Sequence, residues 1–190
     1  AGTNGIDYTT KVFSLESANL DDLRYSNFFS DVVTSVGIGE KDYEKIQKEQ
    51  SLSTGGIGLS FNVLPDSSGN KFLLSAGLHG SALKKNFSKL ESLMNDTING
   101  FRLNEIKRLE ELTQFEIAGK EKSITQSGHI LAMNGASAQI SKFGAVSEFV
   151  GGVSSIHNLK TLRDSNGKIK MEMLLESFSK LKSFINPDSK

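Results

Sequence analysis

Apolar residues alternate with small or polar ones from Ile57 to Val63. Ile57, Leu59, Phe61 and Val63 fall on one side, Gly58, Ser60 and Asn62 on the other. A period of two predicts a strand with one face on a core and one face on water or a partner. Phe72 to Leu78 is a second apolar run, and Pro65-Asp66-Ser67-Ser68-Gly69-Asn70 between them is turn chemistry, so residues 57–78 read as a hairpin. Residues 5–15, rich in β-branched and aromatic side chains, predict a first strand. The pair Gly55-Gly56 lets the chain enter the hairpin from a sharp bend.

Elsewhere the period is helical. Tyr25, Phe28, Phe29, Val32, Val33 and Val36 share a stripe, with cap candidates from Asn19 to Asp22 and a stop at Gly37. A short helix is predicted around Asp42 to Gln50, with Tyr43 and Ile46 inward. Leu83, Phe87, Leu90, Met94 and Ile98 form a stripe closed by Asn99-Gly100. A charged helix from about Asn104 turns Ile106, Leu109 and Leu112 inward and leaves Glu105, Lys107, Arg108, Glu110 and Glu111 solvated. Ser127 to Ser141 is rich in small residues; as a helix it needs tertiary packing to hold it. Gly151-Gly152 and Asn166-Gly167 punctuate the next stretch. A last amphipathic helix carries Met171, Leu174, Leu175, Phe178, Leu181 and Ile185 and stops before Pro187. Three strands and a run of helices, with no repeat or linker, predict one α+β module over residues 1–190.

The chain has 190 residues, 37% hydrophobic and 23% charged, which supports a packed core. Lys plus Arg and Asp plus Glu both number 22, and no basic run occurs, which argues against nucleic acid or an anionic membrane as partner. There is no apolar run long enough to span a bilayer and no signal-peptide pattern. The absence of Cys removes disulfides, thiol catalysis and cysteine metal sites. The chain begins without Met, in the lead-in to a strand, and so reads as an excised piece of something longer.

Catalytic chemistry is sparse. His79, His129 and His157 are the three histidines, His79 expected to end a strand and His129 to start a helix. None has a second histidine within a turn, as the H-E-x-x-H or inverted H-x-x-E-H zinc motifs require. No G-x-S-x-G elbow is present. Gly55-Gly56-Ile57-Gly58 precedes a strand and is followed by no Gly-Lys-Ser/Thr, so it is neither a phosphate loop nor a dinucleotide fingerprint. No residue is assigned a catalytic, cofactor-binding or metal-binding role.

An ordered set of short motifs carries a resemblance. Thr3-Asn4-Gly5-Ile6-Asp7-Tyr8, a helix ending in the link Gly37 to Gly39, Tyr43, and Ser53-Thr54-Gly55-Gly56-Ile57 follow one another. Then come Ala82-Leu83-Lys84-Lys85-Asn86, the stretch from Ser123-Ile124 to Gly128-His129 and Ala132, and Glu148 to Gly151-Gly152. Together, over about residues 3–162, they resemble the presequence-protease subfamily of the pitrilysin/insulinase-type zinc metallopeptidases, and within it the third, non-catalytic module at the start of the C-terminal half. Ser81 departs from the pattern, which has Lys there.

The resemblance implies an α+β module of the LuxS/MPP-like metallopeptidase type: a mostly antiparallel sheet with helices packed on one face. It implies zinc in the parent protein and none in this fragment, since the family's metal motif lies in its first module. It implies hydrolysis of short unstructured peptides by the parent, with this module as scaffold and chamber wall. Gly58, Ser60 and Asn62 are then the candidates for a chamber-facing strand. The partners it implies are the other modules of the parent chain and peptide substrates, with a homodimer of the fragment as a further expectation. The compartment would be the cytoplasm of a bacterium or an organelle matrix of a eukaryote. Relatives of this type would want more than three strands, which directs attention to residues 113–125 and 145–165 for a further one. The alternative is a non-enzymatic assembly module of the same architecture.

Overall fold

In the computed structural model, residues 3–67 and 71–186 are described; Ser68 to Asn70 of the predicted turn, and Pro187, lie outside them. Asn4 and Gly5 both take positive φ, 49° and 78°, and the Ile6 N–H donates to the Thr3 carbonyl at 3.0 Å. Two positive φ values in succession are what Asn-Gly supplies most cheaply. This turn launches strand β1 (Ile6–Ser14). The predicted hairpin is formed by β2 (Ile57–Pro65) and β3 (Phe72–Leu83). β3 lies in the middle, antiparallel to both neighbours, in the order β1-β3-β2.

The helices are α1 (Ser26–Val33), α2 (Tyr43–Ser53), α3 (Phe87–Gly100), α4 (Ile106–Gln126), α5 (Gly128–Ala138), α6 (Lys142–Gly151), α7 (Val153–Thr161) and α8 (Met171–Ile185). Residues 113–125 and 145–165 hold no strand: the first lies in α4, the second spans most of α6 and the whole of α7. In the second stretch Val146, Phe149, Val150, Val153, Ile156 and Leu159 recur every three or four positions, which suits a helix face.

The core sits between one face of the sheet and the helices. Leu59, Ala76, Leu78 and Ala82 from the strands bury against Leu90, Met94, Phe178 and Leu181. Phe29 is its hub, with ring centroids 5.1 Å from Phe178, 5.7 Å from Phe101 and 6.2 Å from Phe61, tilted edge to face. Such geometry suits the aromatic quadrupoles.

Several predicted boundaries move. α1 ends at Val33, not at Gly37, because the following segment pairs elsewhere. The Gly39 N–H donates to the Gly100 carbonyl and the Arg102 N–H to the Gly37 carbonyl. Leu83 belongs to β3 and not to the next helix; its ladder partner Ile6 holds it there, exposed. His79 lies within β3, four residues before its end, rather than at its end. Ile106 opens α4 half outside the body, whereas Leu109 and Ile117 are buried.

Candidate functional site: the uncovered face of the sheet

The register fixes which side chains share the second face. Thr10, His79 and Gly58 form one row across the three strands; Val12, Gly77 and Ser60 form the next; Ser14, Ser75 and Asn62 a third. Alternation places the whole set opposite the helix layer. Tyr8 and Val12 are 69% and 71% exposed, so no described element covers them. The predicted strand-facing set Gly58, Ser60 and Asn62 therefore lies together, one strand wide, on this open face.

The middle of the face is small. A Cβ added at Gly77 would meet Thr10, Ser60 and Asn62 side chains, each at 3.6 Å. The Asn62 amide donates to Ser60 Oγ at 3.3 Å, and Ser60 Oγ lies 3.5 Å from the Gly77 carbonyl. These contacts orient the polar groups of β2 along the strand and leave a shallow floor between Val12 and Asn62.

At one end the face dips into a depression of about 360 Å³, lined by Tyr8, Thr10, Gly56, Gly58, His79 and Ser81 among others. Its lining holds no carboxylate, Lys or Arg. The rim is built by the glycine pair. Gly56 takes φ +118°, where a side chain is strained. The Gly55 N–H donates to the Ser81 carbonyl at 2.7 Å, and the Ser81 N–H to the Gly56 carbonyl at 3.4 Å, extending the ladder beyond β2. Thr54 Oγ1 donates to the Gln50 carbonyl and accepts from the Gly56 N–H, closing α2 onto the rim. Asn86 donates from its amide to the Ser53 carbonyl at 3.1 Å. The T-G-G-I stretch and the later Asn86 thus meet in one corner and hold the entry to β2.

The arrangement offers an apolar-and-hydroxyl surface with one imidazole. No group of three or more His, Cys, Asp or Glu that could hold a metal ion exists among the described residues. His79, His129 and His157 stand on β3, α5 and α7. The residues present do not fit a zinc site.

The carboxyls that burial holds above their ordinary range lie elsewhere, Asp31 on α1 and Glu116 on α4. For Glu116 the ammonium of Lys120, 3.6 Å away, opposes that rise and the Asp31 charge adds to it. Among the described residues, no helix is long and apolar enough to cross a membrane.

Tyr8, Thr10, Val12, His79 and Ser81 also belong to this face; Tyr8, His79 and Ser81 stand out in the sequence for other reasons, and none of the five is marked there as lying on an open strand face. Their period-two spacing was present, but both faces of β1 mix polar and apolar side chains, so alternation could not say which side was open.

Comparison with known proteins gives a consistent picture. A family model for the associated region of subfamily C of the M16 peptidases matches residues 1–162. A mitochondrial presequence protease of Drosophila melanogaster is 25% identical over 168 residues, covering 88% of this chain and 16% of its own length. One of Danio rerio is 27% identical over 164 residues, covering 85% of this chain and 16% of its own. Protein HypA of Clostridium perfringens is 25% identical over 186 residues, 96% of this chain and 19% of its own length. The chain thus spans less than a fifth of the length of these curated relatives.

Proposed function

The chain belongs to this peptidase-associated family, and from this we propose that it is the non-catalytic, chamber-lining module of a zinc-dependent, insulinase-like peptidase that degrades short unstructured peptides. The observation that carries the role is the open sheet face. All three strands turn a small, uncharged middle to one side while the helices crowd onto the other. A wall that touches many peptide sequences needs contact area and hydrogen-bonding groups without a fixed charge pattern. Gly58, Ser60 and Asn62 are placed to supply it, with Tyr8 and His79 at the depression.

On this reading the zinc and the water it activates belong to another module of the parent, and this chain supplies none of the metal's ligands. The other modules of the parent chain are then the partners that close the chamber. β1 and β2 are both edge strands of this three-stranded sheet, so an extended peptide has a strand to pair with as well as a face to lie on.

The test is metal content and peptide cleavage measured side by side on the full-length parent and on this 190-residue chain. The proposal expects zinc and cleavage in the parent and neither in the chain. A parent with no zinc and no cleavage would instead make this an assembly module, and stoichiometric zinc in the chain would overturn the assignment.

A further inference from the structure

Helix α5 turns outward a face that the described residues do not cover. His129, Ala132, Met133 and Ala136, at the i, i+3, i+4, i+7 spacing of one helix face, are all exposed, Met133 at 69%. Ile130 beside them is exposed too, and no residue of α5 is buried. A helix that lies against water ordinarily carries charge on its outer side. This one carries none: the nineteen residues from Ser123 to Ser141 contain no Asp, Glu, Lys or Arg, in a chain that is 23% charged.

The glycines point the same way. Gly144 on α6 is explained inside the fold, because a Cβ there would overlap the Ser137 carbonyl. Gly135, inside α5, is not: a Cβ would meet nothing within 4 Å. An interior glycine weakens a helix by about 1 kcal/mol relative to Ala, and among the described residues no close contact at Gly135 offsets that. A Cβ at Gly128 likewise would meet nothing within 4 Å, and His129 and Ala132, of the same ordered stretch, are exposed among the described residues.

We propose that this uncharged face of α5 is the docking surface for another segment of the same parent polypeptide, itself apolar and uncharged, that packs against the helix at close range. The inference rests on the reading above that the chain is one module of a longer protein. The matched relatives supply the reason to choose that occupant. More than four-fifths of their length lies outside the segment this chain matches, so a tethered surface is present at high effective concentration. A membrane surface is disfavoured, because helices that lie on membranes carry Lys and Arg along their polar face. Permanent interfaces, by contrast, are depleted of charge at their centre.

The experiment is hydroxyl-radical footprinting of methionine oxidation in the full-length parent and in the 190-residue chain, the latter at low and high concentration. Met94, 0% exposed, is the internal reference for a covered sulfur. Docking predicts that Met133 oxidises about tenfold or more slowly in the parent than in the dilute chain, falling toward the rate of Met94. Equal oxidation of Met133 in both would overturn it. Protection that grows with concentration of the chain alone would also overturn it, by naming a second copy as the occupant.

Peptide cleavage by the same parent preparation reports on the peptidase reading separately. Protected Met133 in a parent that cleaves nothing would uphold the docking surface and remove the proposed function. Freely oxidised Met133 in an active parent would do the reverse. As a second readout, Met133→Glu is expected to lower the melting temperature of the parent and leave that of the chain unchanged; an unchanged parent would count against docking.

Discussion

Gly58 on β2 and His79 on β3 stand opposite each other so closely that a Cβ on Gly58 would lie 2.6 Å from the imidazole Nε2. The imidazole lies on the open face and is free to rotate away. Gly58→Ala should therefore cost under about 1 kcal/mol of stability by urea denaturation. In the full-length parent, on the proposed function, it should raise KM for a peptide a few-fold with kcat unchanged, the pattern of lost uniform binding. An unchanged KM would mean that peptide does not reach this row.

The Asn86 amide ties the turn before α3 to the last carbonyl of α2 at Ser53. Asn86→Ala should destabilise the chain by about 1 kcal/mol, measured by the shift in urea midpoint at constant slope. No shift would show that water replaces the amide without loss.

Phe29 touches three other rings and is fully buried. Phe29→Ala should cost about 3–5 kcal/mol, because the cavity it leaves is walled by α8 and the sheet and cannot collapse. Phe29→Leu should cost markedly less. Equal costs would place the hub elsewhere.

Glu116 and Asp31 carry carboxyls whose affinity for a proton is raised by burial. The folded state then holds more protons than the unfolded one between the ordinary carboxylate range and the raised value. Stability from these groups is accordingly present at low pH and lost as pH rises through that window. Glu116→Gln should raise the melting temperature at pH 7, and the gain should shrink toward pH 4. A gain independent of pH would show that the charge is not its cause.

Two helical glycines should respond oppositely in the 190-residue chain. Gly144→Ala forces a methyl into the Ser137 carbonyl and should cost about 1–3 kcal/mol. Gly135→Ala meets open space and should gain about 0.5–1 kcal/mol. Thermal denaturation of both variants decides it, and a loss at Gly135 would contradict the packing described.

The strands were legible because β2 alternates without a break from Ile57 to Val63 and the turns around it are rich in Gly and Asn. The face later found to be open was half legible: β2 announced Gly58, Ser60 and Asn62, but β1 did not, since Asp7, Thr9 and Lys11 on its helix side are as polar as Thr10 on the open side. The end of α1 was misread for a tertiary reason. Val36 is buried and keeps the apolar rhythm, yet it sits in the link that Gly37, Gly39 and Arg102 tie to the end of α3. Leu83 and Ile106 were misplaced because a lone apolar residue at an element boundary fits either neighbour's period. Residues 113–125 invited a strand rather than the second half of α4 because from Phe115 onward they follow no simple stripe: Phe115 is exposed and Ile117 buried.

The most direct test of the chamber-wall role is photo-crosslinking from position 62. A photoreactive residue at Asn62 in the full-length parent, with one at Phe115 on the exposed side of α4 as control, would be irradiated with a labelled unstructured peptide. The account predicts capture from position 62 and none from position 115, with capture suppressed by excess unlabelled peptide. A parent that cleaves the peptide while position 62 captures none of it would contradict the account.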